Sequence, residues 1–180
     1  MKSAAQNGRG IVKVLETDRL VLRLISTNDA EFFLRLLNEP SFLQFIGDKK
    51  VRSLEDAHNY IVNGPIQSYQ RFGFGLYLVE LKATSVPIGI CGLLKRDTLD
   101  DVDIGFAFLP EFWARGYGFE SARALMVHER DAKGLKRILA ITSPDNVGSI
   151  ALLEKLGLKF ERLMKLTEDA PEVKLFAADL

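Results

Sequence analysis

Apolar and polar positions alternate between Val12 and Leu24, with Val14, Leu20, Leu22 and Leu24 apolar and Arg19 and Arg23 polar. This predicts a half-buried strand, interrupted by a bulge or turn at Thr17-Asp18. Ser26-Thr27-Asn28-Asp29 then offers N-caps to a short amphipathic helix carrying Phe33, Leu36 and Leu37, which Pro40 forbids from continuing. A second helix is expected from Ser53, where Ser53-Leu54-Glu55-Asp56 approximates a capping box, with Ala57 and Ile61 on one face and Gly64-Pro65 kinking or dividing it. Dense apolar runs from Phe74 to Leu81 and from Val86 to Leu94, split by Lys82-Ala83-Thr84-Ser85, predict an antiparallel strand pair, and Val102 to Leu109 a further strand.

Beyond Pro110 the period changes. Phe119 to Lys133 places Ala122, Leu125, Met126 and Glu129 on one helical face, with Gly134 positioned to end the helix. Arg137 to Thr142 predicts a short buried strand, and Asn146 caps a helix with Ser149, Leu152, Leu153 and Leu156 at i, i+3, i+4 and i+7. Weak strand signals follow at 159–166 and 173–177. The resulting order, β-α-α-β-β-β-α-β-α-β-β, predicts a mixed α/β domain. We expect one domain over residues 13–180 behind a flexible tail at 1–12, since 180 residues suffice for one core and no linker or repeat divides the chain.

Charge narrows the function classes. Twenty-four Lys and Arg balance 24 Asp and Glu, so no basic surplus points to nucleic acid or an anionic membrane. The single cysteine, Cys91, lies in a strand-like run and reads as a structural thiol. No segment is apolar for long enough to span a bilayer, no leader is expected at the start, and a cytoplasmic location is the default expectation. No His/Cys spacing suggests a metal.

The chemistry concentrates between Asp103 and Leu158. A strand, then Gly116 and Gly118, then the start of a helix is an arrangement suited to phosphate: glycine lets the backbone approach an anion, and unpaired N–H groups at the helix start donate to it. Arg115 adds a side-chain charge. No Gly-Lys-Ser/Thr closes the segment and no third glycine follows, so it is neither a Walker loop nor a dinucleotide fingerprint.

Asp103-Ile104-Gly105-Phe106, then Leu109-Pro110-Glu111-Phe112-Trp113-Ala114-Arg115-Gly116-Tyr117-Gly118-Phe119, then Asn146-Val147-Gly148-Ser149 before Leu152-Leu153-Glu154-Lys155-Leu156-Gly157 resemble, taken together, the GNAT superfamily. Within it the chain resembles the branch of ribosomal-protein alanine and serine N-acetyltransferases, and Leu15-Glu16-Thr17-Asp18-Arg19-Leu20-Val21-Leu22-Arg23 resembles that branch's first strand. Trp113 stands where the superfamily carries Gln or Arg, a departure shared with that branch.

The resemblance implies a largely antiparallel central sheet flanked by helices, and direct transfer of acetyl from acetyl-CoA to an amine. It implies that the backbone amides of Arg115, Gly116, Tyr117, Gly118 and Phe119 hold the pyrophosphate, that Phe108 and Leu109 pair with the pantetheine arm, and that Asn146 and Ser149 contact the cofactor. Asn146 serves equally as a plain N-cap and Ser149 as a packing residue. A backbone N–H near Phe108 or Leu109 is the candidate oxyanion donor. Ser149 is the candidate general acid, because Leu153 stands where many members carry Tyr; Tyr117 remains open. Asp103 is either a base acting through water or a solvated hairpin carboxylate.

The helices of residues 27–72 face substrate in the resembled family, which makes Phe42, Phe45, Tyr60, Tyr69, Phe72 and Phe74 either acceptor wall or core. A protein N-terminal amine is expected first among acceptors and a small-molecule amine next, with no nucleic acid or membrane partner. A non-catalytic acyl-CoA-binding module and a nucleotide-binding protein are the competing classes.

Overall fold

The computed structural model describes residues 6, 7 and 11–180. Of the tail expected at 1–12, residues 1–5 and 8–10 lie outside the described residues, while Gln6–Asn7 forms β1 and Ile11 and Val12 open β2 (Ile11–Glu16). The other strands are β3 (Leu20–Leu24), β4 (Leu76–Leu81), β5 (Pro87–Leu94), β6 (Asp103–Phe108), β7 (Arg137–Thr142), β8 (Lys159–Lys165) and β9 (Glu172–Asp179). They form one sheet in the order β1-β2-β3-β4-β5-β6-β7-β9-β8. Every pairing is antiparallel except β6 with β7.

Side chains alternate across this sheet and build two large cores, one on each face, beside a small cluster of Leu99, Leu139, Leu175 and Ala177. On one face Tyr77 and Val79 of β4 and Cys91 and Leu93 of β5 meet Ala122, Leu125 and Met126 of α5 (Tyr117–Lys133) and Leu153 of α6 (Val147–Lys155). On the other, Leu78 and Ile90 meet α1 (Ala30–Leu37), α2 (Pro40–Phe45) and α3 (Leu54–Ile61) through Phe33, Leu36, Phe42, Ala57 and Ile61. Arg23 fastens the helical cover from inside. Its guanidinium donates to both Asp29 carboxylate oxygens at 2.9 and 2.7 Å and to Glu80 at 2.8 Å, all three side chains being buried.

The helix stop at Pro40 is correct, but Pro40 also begins a helix. Its missing N–H costs nothing at the first position, and α2 follows directly. At Gly64-Pro65 the chain widens into a π turn, Val62–Ile66, and resumes as α4 (Gln67–Phe72). The Ser53 box forms as expected: Ser53 Oγ accepts from the Asp56 N–H at 3.1 Å, and the Asp56 carboxylate from the Ser53 N–H at 3.0 Å. Among the described residues no helix is long and apolar enough to cross a membrane.

Candidate active site

The site begins where the sheet splits. β6 and β7 share a single register pair, Asp103 with Leu139, with the Leu139 N–H on the Val102 carbonyl at 3.0 Å. β5 and β6, by contrast, stay in register from Leu94/Asp103 to Gly89/Phe108. The Leu109 N–H donates to the Ile88 carbonyl at 3.0 Å. Antiparallel alternation therefore turns the main-chain groups of Gly105, Ala107 and Leu109 toward β5, and those of Phe106 and Phe108 into the wedge beside β7. This corrects one expectation: Leu109, 1% exposed and with its N–H taken, is not available beside Phe108 as an oxyanion donor. The Phe108 carbonyl is occupied too, by the Trp113 indole N–H at 2.8 Å.

The turn that follows leads the chain from the wedge to a helix start. Ala114 and Gly116 both take positive φ, 58° and 81°. Gly116 is the N-cap of α5 and contributes no capping side chain, so the Tyr117, Gly118 and Phe119 N–H groups have no intrahelical acceptor; the first bond of the helix is Glu120 N–H to the Gly116 carbonyl at 3.0 Å. Gly118 is needed for closeness: a Cβ there would stand 3.1 Å from Leu152 Cδ2 and 3.6 Å from the Phe108 ring.

Arg19 holds this turn from the β2–β3 hairpin. It donates to the Arg115 carbonyl at 3.0 Å and to Glu120 from its Nε at 2.7 Å and its backbone N–H at 3.0 Å, and its guanidinium lies 4.5 Å over the Tyr117 ring. Thr17 adds its hydroxyl to Glu120 at 2.6 Å. Burial pushes the Glu120 carboxyl up, but these bonds and the Arg19 charge outweigh it and hold the group below the ordinary carboxylate value. Thr17-Asp18 forms the turn expected there, but the role of Thr17 and Arg19 at this site depends on partners about a hundred residues downstream, beyond the reach of any local pattern.

A cleft of about 760 Å³ joins the wedge to the helix start. Phe106, Ala107 and Phe108 line it from β6, Trp113 to Phe119 (without Arg115) from the turn, and Asp145 to Ser149 with Leu152 and Lys155 from α6 and the loop before it. The opposite wall is Leu36, Glu39, Ser41, Phe42, Phe45 and Ile46 of α1, α2 and their junction. Most of the predicted site residues are thus brought together. Asn146 is a true N-cap, its Oδ1 accepting from the Ser149 N–H at 3.1 Å, while also facing the cleft. Ser149 stands on the wall with Gly118 and Phe108.

Asp103 does not line this wall. It is 1% exposed, opens β6 on the face covered by α1–α3, and accepts from Arg96 Nε at 3.0 and 3.1 Å. It is therefore not the solvated hairpin carboxylate of the alternative reading. Burial raises its carboxyl above the ordinary value, against the pull of Arg96. Of the candidate aromatics, Phe42 and Phe45 reach the cleft. Tyr60 packs on Phe33, Tyr69 stacks on Tyr77, and Phe72 stacks on Phe74. Glu39, unpredicted, is a half-buried carboxylate on the wall opposite β6, 3.7 Å from Arg35; a Glu before Pro gave no signal. Cys91 is fully buried, its thiol pushed up to about 12 by burial, in keeping with a structural role. Among the described residues no group of His, Cys, Asp and Glu is placed to hold a metal ion.

A split parallel pair opening onto a helix start with free amides matches the layout that the sequence resemblance implies. The family model for the acetyltransferase (GNAT) domain matches residues 19–159. The chain belongs to the GNAT acetyltransferase family and is an N-acetyltransferase. It is 29% identical over 154 residues to the uncharacterized N-acetyltransferase YoaA of Bacillus subtilis (strain 168), covering 84% of this chain and 86% of that protein. Among solved structures it is similar in fold to RimL, a ribosomal-protein alpha-N-acetyltransferase, in complex with coenzyme A (TM-score 0.81, 21% identity, 93% of this chain and 98% of that one). It also resembles an acetyl transferase from Salmonella typhimurium that modifies the N-terminal serine of a 50S ribosomal subunit protein (TM-score 0.77, 21% identity, 91% and 96% covered).

Proposed function

We propose that this enzyme takes its acetyl group from acetyl-CoA and delivers it to a primary amine, a protein N-terminal α-amine first among acceptors. The observation that carries this reading is the wedge between β6 and β7, whose open main-chain edge runs straight to the free amides of Tyr117, Gly118 and Phe119. A long donor with an amide-bearing arm and a diphosphate fits that edge and that helix start. Support for the acceptor comes from the fold shared with two ribosomal-protein acetyltransferases. We take residues 13–180 as one catalytic domain.

Acetyl-CoA is a substrate here and supplies an activated thioester. The Gly116–Phe119 amides bind its diphosphate, and the Phe106 main chain, the remaining open edge of β6, aligns the arm. The Phe108 N–H, aimed into the wedge, is the oxyanion donor, worth about 3 kcal/mol if it acts as such donors do. Ser149 on the facing helix gives its hydroxyl proton to the leaving thiolate and regains one from solvent, and the ordinary thiol pKa of about 8.5 makes that help modest. An α-amine with a pKa of about 7.7–8.0 is partly neutral at pH 7 and needs only a weak base. Glu39, on the apolar wall opposite and 3.7 Å from Arg35, holds the amine and accepts its proton, whereas Asp103, buried behind Arg96 and absent from the wall, does not face it. Thiol release from acetyl-CoA, measured against peptides with free and with blocked N-termini, tests the reading; transfer to the blocked peptides at the same rate would exclude an α-amine acceptor.

A further inference from the structure

A second groove, of about 340 Å³, leaves the mouth of the cleft between α5 and the end of α6, and Phe119 and Lys155 belong to the walls of both. Cations dominate it. Arg123, Arg130 and Lys155 face the space, with Asp179 as the acidic side chain of its wall. Arg130 is already paired with Asp131 at 2.8 Å, and Asp179 lies 3.6 Å from Arg137. Arg123 and Lys155 are held differently: both lie over the Phe119 ring, 5.8 and 4.6 Å from its centre, and among the described residues neither has a carboxylate partner. Two like charges gathered on one half-buried ring, without a counter-ion of their own, make a site prepared for an anion.

The groove also starts at the right place. Phe119 carries the last of the free amides at the start of α5, and Arg123 lies about 6 Å further along the helix. We infer that Arg123 and Lys155, positioned by Phe119, bind a phosphomonoester dianion at the nucleotide end of the cofactor: the 3′-phosphate that distinguishes coenzyme A from its dephospho form. The inference rests on the acetyl-CoA reading above. A monoester near pH 7 carries close to two charges, matching the two unpaired cations.

Calorimetric titration of the full chain with coenzyme A and with 3′-dephospho-coenzyme A tests it. The parent is expected to bind coenzyme A more tightly by on the order of tenfold. In Arg123→Ala/Lys155→Ala, two exposed positions whose replacement leaves the circular dichroism spectrum unchanged, that gap closes to less than about twofold. Arg123→Lys, which keeps the charge, retains most of it. Equal parent affinities, or a gap that survives in the double variant, overturn the site while the acetyl-CoA reading stands. Failure of the folded parent to bind either ligand overturns both.

Discussion

The two sides of the cleft are built from different materials. The side we propose for the cofactor, from β6 through the turn into α5, presents main chain: a strand edge with no strand partner among the described residues, positive-φ residues at 114 and 116, and a helix start without a capping side chain. The side we propose for the acceptor is side-chain architecture, α1–α3 packed on the sheet through Phe33, Leu36, Phe42 and Ile61 and pinned by Arg23, Asp29 and Glu80. Main-chain donors have fixed positions and no side-chain entropy to lose, which suits a donor substrate that is always the same. Side-chain walls change with sequence, which suits the half that selects an acceptor.

The largest effect should come from breaking the acceptor side. Arg23→Ala leaves two buried carboxylates without their cation and costs about 3–5 kcal/mol of stability, read from urea unfolding. Protein that remains folded keeps its affinity for acetyl-CoA. Gly118→Leu tests the other side: a side chain driven toward Leu152 and Phe108 fills the space before the free amides. Loss of two charge-assisted bonds lowers acetyl-CoA affinity by about 3 kcal/mol, roughly 100-fold, in calorimetry, with unfolding much less affected than in Arg23→Ala.

Arg19→Ala releases the turn without touching ligand. Affinity for acetyl-CoA falls by about tenfold, and Arg19→Lys restores little of it, since one ammonium cannot replace a fork that grips Glu120 and the Arg115 carbonyl together. A pH arm sharpens this. The folded-state Glu120 carboxyl lies below its ordinary value of 4.5, so its stabilisation is complete above that pH and is lost as pH falls through the lower, folded value. Glu120→Gln should flatten that acid-side loss of stability. The smallest effect is expected for Trp113→Phe, which frees the Phe108 carbonyl and costs about 1 kcal/mol of affinity, near fivefold.

The same division explains what was legible in the sequence. Glycines, caps and apolar periods are local, so the end of α5, the Asn146 cap, β7 and the two last strands could all be read from the chain, while α5 begins at Tyr117, two residues before the expected start at Phe119. The α2 helix was hidden because Pro40 signals an end and a beginning alike. Direction of main-chain groups depends on register with β5, so the contrast between Phe108 and Leu109 needed the sheet. Asp103 shows the remaining gap: its place at a strand start was clear, but burial behind Arg96 and absence from the cleft wall arise from elements far apart in sequence.

The most direct test of this account is amide hydrogen exchange, resolved by residue, with and without acetyl-CoA. It predicts that the amides of Phe106, Phe108 and Gly116 to Phe119 exchange readily in the free protein and become protected on binding, while Leu109, already bonded to Ile88, is protected in both states. Unchanged exchange at Phe108 and Gly118 under saturating acetyl-CoA would contradict it.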